Sequence, residues 1–241
     1  MGKKYKLTEE TINVYGRTLH RIESLRDFGN VKKGDKGGFI ENEDNLSQWD
    51  DCWVYDNAKV YDNAMVFKNA KVYGNARVFK NAMVYGDAKV CGDAQVYGNV
   101  KVSGNAKVCG DAMVYGNAMV YGNAMVFKNA MVYGNAMVFG DAEIYDNVRV
   151  YGNAEVFGNV HIKGDADISS ISDYIFFKNW WSSGRCFTWT RSNNMWSVGC
   201  FYGTGEELIA KAYKDSEISG REYKRVVKYV ETTIINDGKD Q

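Results

Sequence analysis

Few side chains in this sequence of 241 residues have the types and spacing that catalysis or ligand binding requires. The two histidines are the first candidates. An imidazole can exchange a proton near neutral pH, which makes His161 a weak candidate for a catalytic general base. Neither an Asn nor a carboxylate stands beside His161 in the sequence to orient its ring. The favoured interpretation is an ordinary surface histidine, so the sequence predicts no catalytic residue.

Three lysines form a second candidate site. Lys71, Lys89 and Lys107 are evenly spaced along the sequence, close to Tyr55 and Tyr73. A chain that repeats at this interval would stack these like charges, and an anionic ligand such as a nucleotide would neutralise them. The three lysines are therefore candidates for anion binding.

The five cysteines show neither a CxxC motif nor a spacing shared with histidine. The sequence therefore predicts no disulfide framework, no metal site and no cofactor. Cys91 and Cys109 are separated by the same interval as the lysines. We interpret them as two free thiols that face outward in a reducing compartment.

A repeat between Val54 and Ile168 must position all of these side chains. Every sixth residue is Val or Ile, twenty times in succession, and four residues after each of the first nineteen comes Ala or Val. Residues two apart in a strand share a face, so both columns point inward and the residue after each Val points outward. Each hexad is one short strand and one corner. Three corners close a coil of three hexads, which predicts about six coils.

The corner of most hexads is Gly followed by Asn or Asp, as in Gly74-Asn75. Glycine accepts any backbone angle, and Asn and Asp enter the left-handed region more readily than other residues with a side chain. This preference is the expected reason why the residue before each small residue is always Asn or Asp.

A small residue two positions before an aliphatic one, as in Ala76-Arg77-Val78, recurs every six residues. This pattern resembles the hexapeptide repeat of left-handed parallel β-helices, the fold of many trimeric acyltransferases. The resemblance implies a mainly β fold, a left-handed winding and, as an alternative function, acyl transfer with a histidine base. Those enzymes hold substrate near a loop that leaves the helix, whereas the register here has no insertion.

The sequence divides into an N-terminal β-hairpin and cap (1–50), the hexapeptide-repeat β-helix (51–170), and a small C-terminal α+β domain with a frayed tail (171–241). Polar and apolar residues alternate in 5–26 and predict the hairpin. Ile40, Leu46 and Cys52 continue the six-residue spacing through the small inward position. They predict an irregular first coil that covers the end of the helix, where free strand edges would invite aggregation.

Residues 27–58, DFGNVKKGDKGGFIENEDNLSQWDDCWVYDNA, resemble the N-terminal region of an uncharacterised family of bacterial and phage β-helix proteins labelled as transferases. That label follows from the fold, so it implies little about activity. The C-terminal domain resembles a module of phage and prophage proteins.

Aromatic residues, a turn at Asn193-Asn194 and two capping boxes shape the C-terminal domain. The boxes pair Thr204 with Glu207 and Ser219 with Glu222, and they predict two helices. Residues 236–241 are expected to fray. The residues of this domain predicted to bind a partner are Trp181, Arg185, Trp189 and Trp196.

Sorting the outward residues by their position within the coil gives three faces, one of which carries two columns of methionine and aromatic residues. Exposed methionine is favoured where a surface must fit a partner. The residues predicted to bind are Met65, Phe67, Met83, Tyr85, Met119, Tyr121, Met137 and Phe139. This face is expected to carry self-association, with a trimer favoured by the resemblance and a dimer next.

The 30 basic residues balance the 30 acidic ones, which gives no support for a nucleic-acid partner. No signal peptide or membrane span is evident, so we expect a cytoplasmic protein. The preferred function is a non-catalytic binding or scaffold protein of phage type that engages a protein partner and inhibits a host defence system. The alternatives are a hexapeptide-type acyltransferase and a protein that binds an anionic nucleotide.

Overall fold

The computed structural model describes residues 2–179, 181 and 184–235. Three strands precede the repeat: β1 (Tyr5–Val14), β2 (Arg17–Ser24) and β3 (Lys36–Ile40), with a 3-10 turn at Glu43–Asn45. The predicted hairpin is confirmed, because β1 and β2 pair antiparallel across a turn in which Tyr15 and Gly16 have positive φ. No helix in the described residues is long and apolar enough to cross a membrane.

Twenty short strands, β4 to β23, make up the repeat. In chain order they are Trp53–Val54, Lys59–Val60, Met65–Val66, Lys71–Val72, Arg77–Lys80, Met83–Val84, Lys89–Val90, Gln95–Gly98, Lys101–Val102, Lys107–Val108, Met113–Gly116, Met119–Val120, Met125–Val126, Met131–Val132, Met137–Val138, Glu143–Ile144, Arg149–Val150, Glu155–Val156, His161–Ile162 and Asp167–Ile168. Each strand up to β20 pairs in parallel with the strand one coil later, as Lys89 with Lys107.

The pairing produces three flat sheets around one core. We call them the Met face (β6, β9, β12, β15, β18, β21), the Tyr face (β5, β8, β11, β14, β17, β20, β23, which β1–β3 extend) and the Lys face (β4, β7, β10, β13, β16, β19, β22). The seven strands of the Lys face give about seven coils, one more than predicted. The parallel β-solenoid predicted from the period is confirmed, whereas its left-handed winding stays an expectation from the resemblance.

The interior consists of the two inward columns. Every Val or Ile and every Ala of the repeat is buried, and together they form one continuous cluster. The outward rings lie outside the coils, as predicted for Tyr73 and Tyr115. Two outward rings at the N-terminal end are exceptions. Tyr61 is 3% exposed because Leu19 of β2 and Phe39 of β3 pack over it, and Trp53 is 1% exposed because Tyr5 and Phe28 pack against it.

The corners differ from the prediction. The left-handed residue is the one before the Asn, and where that residue is not glycine it is Asp or Lys, such as Asp56 (φ 52°) and Lys80 (φ 59°). The Asn side chains instead form ladders between coils: Asn99 Nδ2 donates to Asn117 Oδ1 at 3.0 Å, and Asn117 donates to Asn135 at 3.0 Å. An amide can donate and accept at once, which explains Asn at this position better than its backbone preference does.

The first coil also differs in register. Ile40 pairs with Val60 and Leu46 with Val66, so both stack on the valine column instead of the predicted alanine column. Cys52 alone follows the prediction, because the next residue, Trp53, donates its amide to Ala70. The cap closes the end of the core, since Tyr5, Ile22, Phe28 and Val31 belong to the solenoid cluster.

After a 3-10 turn at Ile171–Asp173, the C-terminal part is an antiparallel sheet of β24 (Tyr174–Lys178), β25 (Cys186–Thr190), β26 (Met195–Val198) and β27 (Phe201–Gly203). Helices α1 (Gly205–Asp215) and α2 (Glu217–Tyr229) and a π-helical segment (Val230–Ile235) follow. We call residues 174–235 the C-terminal module.

The predicted turn at Asn193-Asn194 and the capping box of Thr204 and Glu207 are confirmed. The box predicted at Ser219 is wrong: Ser216 caps α2 by accepting from the Ser219 amide. Ser216 also ends α1, so no linker separates the helices. The tail at 236–241 lies outside the described residues, as do Trp180, Ser182 and Ser183.

Candidate functional site

The Met face carries the predicted binding residues in two columns, which we call the Met strip: Met65, Met83, Met119 and Met137 beside Phe67, Tyr85, Tyr121 and Phe139. Parallel pairing sets Met65 against Met83 and Met119 against Met137. The rings stack in two groups: Phe67 on Tyr85 at 4.9 Å, and Tyr121 on Phe139 at 5.0 Å, with Phe157 stacked on Phe139 at 5.2 Å. Met65 is 45% exposed and the other seven residues are half-buried.

The coil of Lys101 and Ser103 divides the Met strip. Lys101 pairs with Met83 on one side and with Met119 on the other, and Ser103 leaves a gap in the ring column. The Met strip is therefore two apolar patches on either side of one polar coil.

The Tyr face has the longer aromatic ladder, which the sequence analysis did not single out. Six rings stack without interruption at 4.8 to 5.3 Å: Tyr61, Phe79, Tyr97, Tyr115, Tyr133 and Tyr151. Because each ring covers the faces of its neighbours, the ladder presents ring edges outward. It is better suited to holding coils together than to stacking with planar ligands.

His161 has a carboxylate partner, although none stands beside it in the sequence. His161 Nδ1 lies 2.7 Å from Glu143 Oε2, and the Tyr145 hydroxyl donates to the same oxygen at 2.8 Å. Glu143 stands one coil before His161, directly beneath it in the Lys face. The coil period could have predicted this contact, because residues one coil apart are adjacent in space although they are distant in sequence.

The surroundings of this group restrict what it can do. Burial, and then the hydrogen bond to Glu143, raise the pKa of Tyr145 far above its usual range, so the phenol remains protonated. The His161 amide donates to Thr188 Oγ1 of the C-terminal module at 3.2 Å. The side chains of His161 and Glu143 are 28% and 20% exposed, so most of the surface of both is closed to a ligand.

Lys71, Lys89 and Lys107 stack in register on the Lys face, as predicted. Lys71 and Lys89 line a cavity of about 320 Å³ that Asp51, Asp87 and Tyr55 also line. The two carboxylates already supply negative charge there, which weakens the case for an anionic ligand.

The two cysteines predicted to be free thiols, Cys91 and Cys109, form a disulfide with their Cα atoms 4.5 Å apart. Stacking at one-coil spacing brings the Cα atoms within the range that a disulfide can span. Cys52, Cys186 and Cys200 are free.

Two of the four predicted binding residues in the C-terminal module are core residues. Trp189 and Trp196 are 1% and 2% exposed and pack among Phe187, Leu208 and Val227. Both indoles lie on the side of β25 and β26 that faces the core of the module. The sequence alone does not decide which side of a short strand the helices cover.

The other two residues lie at separate surfaces. Trp181 lines an apolar groove of about 380 Å³ with Phe177, Val226 and Tyr229. Arg185 is exposed and lines a different cavity of about 340 Å³ with Lys211. The structure therefore does not bring the predicted aromatic residues of the module together with the Met strip into one site.

A family model described as YdcK Beta solenoid repeat matches residues 70–86, 94–110 and 106–122. No curated protein matches the sequence. The matched residues lie wholly within the coils, and they support the architecture that the structure shows. The chain is a β-solenoid repeat protein, similar over these residues to the YdcK β-solenoid repeat family.

Proposed function

We propose that this protein is a non-catalytic scaffold that binds protein partners through the Met strip, with the C-terminal module as a second contact. The Met strip carries this proposal. Methionine and aromatic side chains stand on the outside of a rigid solenoid whose interior is already filled by Val and Ala. An apolar strip that runs over several coils in this way suits another protein better than a small molecule, which needs a concave site.

A quantitative pull-down from cells of the source organism tests the proposal. Met119→Glu/Phe139→Glu should remove the partner recovered with the wild-type protein, because two charges would then face an apolar surface. The matched control is Met131→Glu/Tyr133→Glu, which places the same charges on the Tyr face and should retain the partner. Recovery that neither double variant changes would contradict a role for the Met strip.

The identity of the partner is part of the proposal. Residues 27–58 and the C-terminal module resemble phage-type proteins, which favours a host protein as the partner of the module and inhibition of a host defence system as the outcome. Arg185→Glu tests the contact made by the module, since this exposed side chain is distant in sequence from the Met strip.

Acyl transfer is the second candidate, and the contact between His161 and Glu143 favours it. A carboxylate on Nδ1 fixes the orientation of the ring and the tautomer in which the other nitrogen can accept a proton. Turnover of acyl-CoA that is lost in His161→Ala and reduced in Glu143→Gln would establish this activity. We expect no turnover, because the register has no loop to hold substrate and the module contacts the His161 backbone.

A further inference from the structure

The Met strip and its central coil have the same order in both directions. The Met column runs Met65, Met83, Lys101, Met119, Met137, and the ring column runs Phe67, Tyr85, Ser103, Tyr121, Phe139. Pairing shows that these are consecutive coils of one sheet. Over these five coils both columns are therefore mirror-symmetric about the coil of Lys101 and Ser103, whereas the sixth coil of the Met face, with Glu155 and Phe157, has no counterpart in the mirror order.

The Tyr face lacks this symmetry. Its ring column has one Phe, at the second of six positions, and its other column runs Lys59, Arg77, Gln95, Met113, Met131, Arg149. The mirror order is thus a property of the Met strip and not of the repeat as a whole.

We propose that a second copy of this chain docks on the Met strip, antiparallel, with a two-fold axis that lies in the interface along β12. This inference rests on the proposed function and names the partner of the same surface. Rotation about an axis parallel to a strand reverses the solenoid axis and retains the strand direction. Each coil then meets the coil equally far on the other side of Lys101.

Within these five coils, the mirror order sets like residues opposite each other. Met65 faces the partner's Met137, and Met83 faces the partner's Met119. In the ring column Phe67 faces the partner's Phe139 and Tyr85 faces the partner's Tyr121. If the two solenoid axes were parallel, the Met column would face the ring column and each coil would meet its own copy. The mirrored order would then have no effect on the contacts.

The central coil fixes the register. Lys101 is exposed and lies at the axis opposite its own copy, where the two long side chains can turn toward solvent. A shift by one coil would instead press Lys101 against a methionine and leave a charge in an apolar contact. One polar coil at the centre therefore weakens the dimer and selects one alignment.

The size of the surface sets the expected affinity. Five coils at about 4.8 Å, with flanking rows, cover roughly 400 Å² per copy, or about 800 Å² in total. This value is below that of standard stable interfaces and belongs to transient ones. The dimer should therefore dissociate on dilution through the micromolar range.

Crosslinking of the full chain tests the geometry. In a background with Cys186→Ser and Cys200→Ser, a bismaleimide that spans the roughly 10 Å between facing sheets should join Ser103→Cys to its own copy. Met65→Cys alone should give no dimer, whereas an equimolar mixture of Met65→Cys and Met137→Cys should give one.

Charge exchange gives a second readout. A mixture of wild type and Lys101→Glu should form heterodimers in excess of the statistical half, because the two residues meet at the axis. Lys101→Met should tighten the dimer about tenfold, since it removes the like charges and completes the Met column.

Two results would overturn the inference, and they differ in what they mean for the proposed function. Met65→Cys that crosslinks to its own copy shows same-coil contacts, as in a parallel dimer or trimer, and leaves the scaffold proposal standing. Sedimentation of a monomer at about 100 µM excludes the second copy. The pull-down with Met119→Glu/Phe139→Glu then decides alone whether the Met strip binds a different protein.

Discussion

The two ends of the solenoid are closed in different ways. At the N-terminal end the chain continues the structure: the amides of Phe39, Glu41 and Ser47 donate to the carbonyls of Ala58, Val60 and Val66, and the cap shares the solenoid core. At the C-terminal end the module has its own core, apart from Tyr174, which packs in the solenoid core. Side-chain hydroxyls of Tyr174, Thr188 and Ser192 accept the amides of Phe157, His161 and Asp167.

This difference shows that two kinds of cap can provide hydrogen-bond partners for the backbone groups of a terminal coil. Backbone pairing binds the N-terminal cap into the cooperative unit of the coils, because its loss would expose both amides and apolar core. Hydroxyl contacts are single and local, so the module can loosen without unfolding the coils. We therefore expect changes at the N-terminal end to affect global stability and changes at the C-terminal end to affect local opening.

Lys4→Met at the N-terminal end should have the largest effect. Lys4 is 0% exposed, and its ammonium donates to the carbonyls of Trp49, Asp50 and Cys52 at 2.9 to 3.3 Å. Methionine keeps the length of the side chain but removes the charged donor that these three carbonyls share, at a cost of about 3 kcal/mol in the free energy of unfolding. Urea denaturation followed by circular dichroism measures the loss.

The matched control is Lys6→Met. Lys6 is half-exposed and forms a surface ion pair with Glu23 at 3.1 Å, so its replacement should cost less than about 1 kcal/mol. Equal losses in the two variants would show that the cap does not depend on the buried ammonium.

Thr188→Val/Ser192→Ala should have a smaller and more local effect at the C-terminal end. The two hydroxyls accept the amides of His161 at 3.2 Å and Asp167 at 2.8 Å. Each lost acceptor should cost about 1 kcal/mol, which corresponds to roughly fivefold faster hydrogen exchange of these two amides. The exchange of core amides such as Val114 should not change.

Thr190→Val is the control for this pair, because its hydroxyl donates to Asn193 inside the module. If the double variant unfolds at a lower urea concentration to the same extent as Lys4→Met, the two ends are equivalent and the distinction between their caps is wrong.

The regular part of the fold follows from the sequence, because a six-residue period fixes which side chains point inward and which residues stack. The contact of His161 with Glu143 and the pairing of Cys91 with Cys109 follow from the same period. Both could be predicted by comparing each residue with the one a full coil away. The ends were harder. The chain from Leu46 to Val54 breaks the six-residue spacing, so Ile40 and Leu46 moved to the other column.

The C-terminal module has no period to use. Whether Trp189 is buried depends on helices that come later in the chain, and tertiary packing decides that. The helix starts show the same limit. Thr204 and Ser219 both have a capping signature in the sequence, but only Thr204 caps a helix. Ser216 ends α1 and therefore lies in position to cap α2 in place of Ser219.

Alkaline pH gives the finest test of the two ends, through Tyr61, which lies beneath the N-terminal hairpin. Burial raises the pKa of Tyr61 to about 12, so the folded protein holds this proton more tightly than the unfolded chain does, where the pKa is 10. The stability that this provides is complete below pH 10 and is lost as the pH rises from 10 to about 12. Tyr61→Phe should therefore lose less stability than wild type across this interval.

Tyr202→Phe is the matched variant at the C-terminal end. Burial also raises the pKa of Tyr202, but this residue is 36% exposed, so its removal should change the alkaline loss less than Tyr61→Phe does. Urea midpoints at pH 9, 10, 11 and 12 for the wild type and both variants measure the difference. Burial raises the pKa of a tyrosine by removing water from its hydroxyl, so the more deeply buried tyrosine has the larger pKa shift. A larger effect of Tyr202→Phe would therefore mean that the module, and not the hairpin, is the more tightly packed cap.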